Sequence, residues 1–96
     1  MYLRLVRITL EPGARSAAQN LADEFVPAIK AQNGCDECVF FADDNSGDHG
    51  IVVLWNSKED AEAAASVIGP RLAQAISEVT DEPANIRLFE VYEPNA

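Results

Sequence analysis

Basic side chains are scarce in this sequence, and the shortage excludes two classes of partner. Seven lysines and arginines stand against sixteen aspartates and glutamates, which gives a formal net charge of −9 and an isoelectric point near 4.3. Nucleic acids are bound through their phosphates by clustered positive charge, and anionic membrane surfaces attract proteins in the same way. We therefore expect neither nucleic acid nor membrane as a partner, and the acidity itself favours solubility.

Long hydrophobic runs are also missing, although 48% of the residues are hydrophobic. No run approaches the roughly 20 residues of a membrane-spanning helix. Met1 is followed by Tyr-Leu-Arg rather than by the pattern of a secretory signal. A length of 96 residues is that of one small domain. We predict one domain over residues 1–96 and a cytoplasmic location.

Two cysteines are too few for a disulfide scaffold, but Cys35 and Cys38 have Cys-x-x-Cys spacing. On a regular strand, residues three apart point to opposite faces and their α-carbons lie about 10 Å apart. A disulfide requires less than about 7 Å. We interpret the spacing as incidental, with Cys38 as core packing. A turn from Cys35 to Glu37 is the alternative that would bring the thiols together.

Hydrophobic periodicity divides the chain into strands and helices in the order β-α-β-β-α-β. Pro27 predicts a kink or local break in the first helix, and Gly69-Pro70 predicts a break after the second. The order is that of the α+β ferredoxin-like fold, a four-stranded antiparallel sheet with helices on one face. The predicted strands are residues 2–10, 35–42, 50–56 and 85–92, and the predicted helices are residues 14–32, 57–68 and a short one around 72–79.

Both faces of the predicted sheet are apolar. In the first strand Val6 and Ile8 lie on one face, and Leu3 and Leu5 lie on the other. A sheet with one solvated face would alternate between apolar and polar residues. Because the helices can cover only one face, we predict a homodimer in which two copies pack sheet to sheet.

Three segments carry a family resemblance: RITLEPG (residues 7–13), Gly34-Cys35, and VVLWNSKEDA (residues 52–61). They resemble the antibiotic biosynthesis monooxygenase (ABM) superfamily of dimeric α+β barrels. The resemblance implies one ABM-like domain over the whole chain. The superfamily includes cofactor-free oxygenases of aromatic polyketides and quinols, as well as haem-degrading enzymes.

The haem-degrading branch fits poorly. Its members combine the tryptophan of the third strand with an asparagine on the first strand and a histidine on the following helix. The residue corresponding to the asparagine is Val6, and residues 57–79 contain no histidine. We therefore expect no cofactor. No phosphate-binding glycine loop or metal-ligand spacing occurs, and the acidic loop of residues 43–50 does not match a calcium-binding loop.

The resemblance implies a cavity between helices and sheet, for which the candidate residues are Arg4, Phe41, Trp55, Asn56 and Phe89. Trp55 would stack on a planar substrate, and Arg4 would orient a carboxylate or phenolate. The other interpretation makes Trp55 a core anchor and pairs the arginine with a carboxylate at the sheet edge.

The single histidine, His49, is the candidate general acid or base because its pKa suits proton transfer near neutral pH. Its place at the entry to the third strand predicts an exposed side chain, and a solvated histidine without a role is the alternative.

Two functions remain open. The first is a cofactor-independent monooxygenase acting on a small aromatic or quinol-like substrate, with Trp55, Arg4 and His49 as the catalytic residues. The second is a non-catalytic dimeric module of the same fold that binds a small ligand or serves a structural role.

Overall fold

The computed structural model describes residues 1–92. Its four strands form one antiparallel sheet in the order β2-β3-β1-β4, and the chain order is β-α-β-β-α-β. The predicted α+β, ferredoxin-like arrangement is confirmed. The elements are β1 (Tyr2–Thr9), α1 (Arg15–Lys30), β2 (Cys35–Asp43), β3 (Asp48–Trp55), α2 (Lys58–Ser77) and β4 (Asn85–Glu90).

Both helices pack on the same face of the sheet, which we call the helix face. Its centre consists of alternate residues of β1 and β3, including Val6, Ile8 and Val53, all at most 5% exposed. Every second residue of a strand points the same way, so one stripe of each strand enters this core. Apolar residues at helical spacing, such as Leu21 and Phe25 of α1, cover it.

Neither internal proline breaks its helix, so the predicted interruptions at Pro27 and at Gly69-Pro70 are wrong. A proline removes one hydrogen bond of the helical ladder. After Pro27 the ladder resumes at once, because the amide of Ala31 donates to the Pro27 carbonyl at 3.1 Å. In α2 the buried stripe continues from Ile68 to Leu72 across Pro70. Burial of apolar side chains on both sides of each proline stabilises a continuous helix.

A junction at the start of α2 fixes the end of β3. Ser57 caps α2, and its hydroxyl accepts the Asp60 amide at 3.1 Å, as the capping-box spacing predicts. The Asp60 carboxylate accepts the Asn33 side-chain amide at 3.1 Å and covers Gly34, where a Cβ would clash with it. The Gly34 carbonyl accepts the Asn56 amide at 2.9 Å. Trp55 is therefore held between a strand pairing and a capped helix.

The face of the sheet away from the helices, the open face, is apolar and uncovered by any residue that the structure describes. Val39 is 48% exposed and Phe89 is 37% exposed, and the central leucines of this face are half-buried. The apolar residues are Leu3, Leu5, Val39, Phe41, Val52, Leu54 and Phe89. The prediction that both faces need burial is consistent with this surface.

A bulge at the start of β2 changes the orientation of Cys35. Cys35 pairs with Trp55 and Cys38 pairs with Val53, with the register shift between Cys35 and Glu37. Because Trp55 and Val53 share the helix face, both cysteines lie on that face. The expectation that they point to opposite faces is wrong, since one extra residue in a bulged strand shifts the alternation by one.

Candidate functional site

A cavity of about 100 Å³ lies between α2 and the sheet. Within residues 1–92, Arg4 and Trp55 are the lining residues whose side chains carry a polar group, and the other lining residues are aliphatic or glycine. The lining residues are Arg4, Val6, Ile29, Ile51, Val53, Trp55, Ala61, Ala64, Ala65, Ile68, Gly69, Leu72 and Ile86. It lies between helix and sheet, where the family resemblance implies a cavity, and most of its walls are core residues.

Arg4 and Trp55 are diagonal neighbours on the helix face. Arg4 pairs with Val53 across the β1–β3 ladder, and Trp55 lies two residues further along β3. Diagonal α-carbons in adjacent strands are separated by about 7–8 Å, which is within reach of long side chains. The two side chains therefore line one cavity from neighbouring strands.

The indole N–H of Trp55 lacks a partner within residues 1–92. Trp55 is 3% exposed, and its Nε1 is buried without a hydrogen-bond acceptor. A buried donor left unsatisfied costs about 1–3 kcal/mol. Arg4 is half-buried. The cavity thus presents one buried donor to whatever fills it, with an arginine in its lining.

Small residues on α2 form the roof of the cavity. On the side of α2 that faces the sheet, Ala61 and Ala64 are buried. Ala65 and Gly69, which also line the cavity, are less buried. Beyond the neighbouring residues and backbone of α2 itself, a Cβ added at Gly69 would meet no atom within 4 Å. On the floor, Ile86 of the edge strand β4 is 53% exposed, and it marks the side on which the cavity meets solvent.

Three sequence candidates lie outside the cavity. Phe41 pairs with Gly50 and Phe89 pairs with Leu3, and both phenylalanines belong to the open face. Asn56 follows β3, and its side chain is exposed. The expected placement of Phe41 and Phe89 beside Trp55 needs correction, because their strand positions alternate with those that face the helices.

His49 is buried, with 1% exposure, so the predicted exposed position is wrong. The third strand begins at Asp48, two residues earlier than predicted, and this places the imidazole on the helix face near Phe40, with ring centroids 6.5 Å apart. Its Nδ1 lies 2.8 Å from the Gly47 carbonyl oxygen, and its Nε2 lies 3.7 Å from Asp44 Oδ1. His49 is not among the residues that line the cavity.

The two thiols are poorly suited to nucleophilic or ligand chemistry. Burial raises the pKa of Cys38 to about 11, with a further contribution from the nearby Cys35 thiol. Burial, followed by the charge of Asp36, also raises the pKa of Cys35. The thiolate is the reactive form of cysteine, and it is a minor species here at neutral pH. Residues 1–92 contain no group of three or more side chains that could hold a metal ion.

Fold and cavity together define a class: a small ferredoxin-like α+β protein with a mostly apolar cavity between helix and sheet. The sequence model of the antibiotic biosynthesis monooxygenase (ABM) family matches residues 1–67, which include both polar groups of the cavity. The chain belongs to the ABM family. No curated protein sequence matches it.

Solved structures confirm the fold at low sequence identity. Rv0793 from Mycobacterium tuberculosis has a TM-score of 0.80 at 16% identity, with 99% of this chain and 98% of that chain covered. The cofactor-independent oxygenase SnoaB from Streptomyces nogalater has a TM-score of 0.78 at 15% identity, with 97% and 94% covered. A protein of unknown function from Nitrosomonas europaea, NE2512, has a TM-score of 0.80 at 18% identity, with 99% and 92% covered.

No helix in residues 1–92 is both long enough and apolar enough to cross a bilayer.

Proposed function

We propose that this protein is a cofactor-independent ABM-type monooxygenase acting on a small aromatic or quinol-like molecule in the cavity below α2. One observation carries the proposal: Arg4 and Trp55 line an otherwise apolar cavity, and the buried Trp55 indole N–H has no partner among residues 1–92. A planar ring with one oxygen substituent matches this lining, because the ring packs on apolar walls while its oxygen accepts from the indole N–H.

In the proposed reaction the substrate itself supplies the electrons. Loss of a proton from a phenol or quinol leaves an anion with electron density on a ring carbon, and O₂ adds to that carbon. The O–O bond then breaks, one oxygen stays on the ring as a carbonyl, and the other leaves as water, so a phenol and O₂ give a quinone and water. Arg4 would stabilise the anion and Trp55 would position the ring.

This site uses two of the residues selected from the sequence. Arg4 and Trp55 are assigned to substrate binding and catalysis. The cavity lining does not include Phe41, His49, Asn56 or Phe89.

A non-catalytic ligand-binding module is the second candidate. It is favoured by the same lining, which includes no carboxylate, imidazole or hydroxyl that could remove a proton from a bound ligand. The sharpest difference between the candidates is oxygen consumption, since both would bind an aromatic ligand.

The test combines binding with oxygen uptake. Trp55 is the only tryptophan, so its fluorescence reports on the cavity directly. Quenching by a panel of phenols and quinols together with O₂ uptake supports the monooxygenase. Quenching without uptake supports the binding module, and the absence of both overturns the proposed site.

The protein is also proposed to be a homodimer that joins two open faces. Members of the family are generally dimeric, and the half-buried Leu3, Leu5, Val52 and Leu54 form a continuous apolar surface in this chain. The cytoplasmic location remains a prediction.

A further inference from the structure

One ring nitrogen of His49 is buried and has no hydrogen-bond partner among residues 1–92. The imidazole is 1% exposed, and its Nδ1 lies 2.8 Å from the Gly47 carbonyl oxygen. A carbonyl oxygen can only accept, so Nδ1 carries the proton that it donates. Nε2 of the neutral ring is then an acceptor, and it is the atom that the described residues leave without a donor. Buried polar atoms are normally satisfied, so this nitrogen points to a missing partner.

A second acceptor faces the same nitrogen. Asp44 Oδ1 lies 3.7 Å from His49 Nε2. A hydrogen bond from an imidazolium to a carboxylate is about 2.7–2.9 Å long, so the two groups are too far apart for one. Two ligand atoms of one metal ion are spaced differently, because N and O bonds of about 2.0–2.2 Å at a tetrahedral angle place the two atoms roughly 3.4 Å apart. The observed separation is closer to the spacing of metal ligands.

We propose that His49 Nε2 and Asp44 Oδ1 bind a divalent transition-metal ion. Residues 1–92 provide no group of three or more ligand side chains, so water completes the coordination. An imidazole nitrogen suits zinc and other first-row ions, whereas magnesium and calcium take oxygen ligands. The site lies where the β2–β3 hairpin contacts the start of α1, and it does not depend on the cavity below α2.

The remaining polar atom of each proposed ligand is already held in place. A metal-bound histidine almost always donates its other ring N–H to a carbonyl or carboxylate, and Nδ1 of His49 has the Gly47 carbonyl. A ligating carboxylate is in turn hydrogen-bonded, and Asp44 Oδ2 accepts from Arg15 Nη1 at 2.8 Å. These contacts leave Nε2 and Oδ1 available for the metal ion.

The hairpin carries an excess of negative charge around this position. Its three aspartates are Asp43, Asp44 and Asp48. Arg15 pairs with Asp44 and Arg7 pairs with Asp48, while no ion pair within residues 1–92 engages the Asp43 carboxylate. The segment therefore stays negative after pairing, which favours a dication over a neutral ligand.

The test uses the imidazole resonances of His49, which are unambiguous because the chain has one histidine. We expect nitrogen-15 spectra at about pH 8, where an ordinary histidine is neutral, to show a proton on Nδ1 and none on Nε2. Zinc chloride should shift the Nε2 resonance to a metal-bound position and leave Nδ1 protonated. Magnesium chloride should change neither resonance.

Substitutions identify the two ligands by calorimetry with zinc chloride. Asp44→Asn removes a charged ligand and should weaken zinc binding at least about tenfold. Asp23→Asn is the matched control, because it removes the same charge from an exposed position of α1 and should leave the affinity unchanged. His49→Gln should abolish the binding if circular dichroism shows that it folds. Both cysteines remain in every variant, so zinc held by the thiols would survive these substitutions.

Several results would overturn the metal site. Zinc that binds without moving the His49 resonances is bound elsewhere on the acidic surface. A proton on Nε2 that zinc does not displace means that the imidazole and Asp44 form an ion pair instead. Equal affinity of the wild type and Asp44→Asn, or no binding at millimolar zinc, also contradicts it. None of these results bears on the proposed monooxygenase, which uses a different part of the fold.

Discussion

Trp55 and His49 face the helices from opposite ends of β3, six residues apart. Along an extended strand this corresponds to about 20 Å. The two residues with the most distinctive chemistry in the chain therefore cannot meet on one small ligand. Trp55 belongs to the cavity, and His49 belongs to the packing at the far end of the sheet.

Replacing His49 with alanine should destabilise the protein without changing the cavity. We expect His49→Ala to lower the free energy of unfolding by about 2–4 kcal/mol, because a buried side chain and its contact with the Gly47 carbonyl are lost. Urea denaturation measures this change, and ligand affinity of the folded variant should match that of the wild type. Loss of O₂ uptake with binding and stability intact would instead assign His49 a catalytic role.

Replacing Trp55 with phenylalanine separates the indole N–H from the aromatic surface. We expect Trp55→Phe to weaken phenolate binding by about tenfold, since one hydrogen bond to a charged oxygen is removed while the ring contact remains. Isothermal titration calorimetry measures the affinity, because this variant has no tryptophan fluorescence. An unchanged affinity would show that the indole contributes apolar contact but no hydrogen bond to the ligand.

A methyl group at position 69 should narrow the cavity with little net effect on the stability of α2. Gly69 lies inside the helix, directly before Pro70. Helix propensity favours alanine by about 0.5–1 kcal/mol, but its Cβ crowds the following proline ring, so Gly69→Ala should change the free energy of unfolding by less than about 1 kcal/mol. Affinity for a ring ligand should fall, because the methyl group enters the cavity lining. Gly13→Ala is the matched control: its φ of 86° makes the substitution strained, so it should destabilise the protein without affecting the cavity. Unchanged ligand affinity of folded Gly69→Ala would contradict the assigned cavity.

A charge on the open face should prevent association. Leu5→Asp places a carboxylate at the centre of the apolar surface, and we expect light scattering to detect a monomer at micromolar concentration, where the wild type is a dimer. Val67→Asp makes a similar change at a 56% exposed position on α2 and should leave the dimer intact. A monomeric wild-type protein at the same concentration would contradict the proposed dimer.

The reactivity of Cys38 should depend steeply on pH. Burial favours its neutral thiol, so the thiolate that attacks a disulfide reagent increases as pH rises toward the pKa of about 11. In a Cys35→Ser background, labelling of the native protein should be slow at pH 7 and accelerate by about tenfold per pH unit below that pKa. The same variant unfolded in urea provides the fast reference. Rapid labelling of native Cys38 at pH 7 would contradict the buried environment.

The order of helices and strands could be predicted because the hydrophobic residues of each segment recur with a clear helical or strand periodicity. The two faces of each strand could not be assigned in this way. Phe41 and Phe89 were expected beside Trp55, yet they lie on the open face. When a strand has apolar residues on both sides, the sequence pattern does not distinguish the helix face from the open face. Arg4 and Trp55 could be selected because polar and aromatic groups are rare there, and the missing partner of the indole N–H became visible only in three dimensions.

Predictions from local sequence signals were also wrong where tertiary packing determines the structure. Pro27 and Pro70 predict interruptions, but buried side chains on both sides keep each helix continuous. A shift of two residues in the start of β3 was enough to move His49 from solvent into the core. Because β3 extends two residues further, His49 joins the alternation in which every second side chain faces the helices.

The extra residue in β2 keeps Cys35 on the helix face. Asp36 is the residue without a partner between the pairs Cys35–Trp55 and Glu37–Leu54. If Asp36 were instead paired as in a regular strand, alternation from Cys38 would place Cys35 on the open face, where two copies are proposed to meet. The bulge therefore keeps a thiol away from the surface on which it could form a disulfide with a second copy.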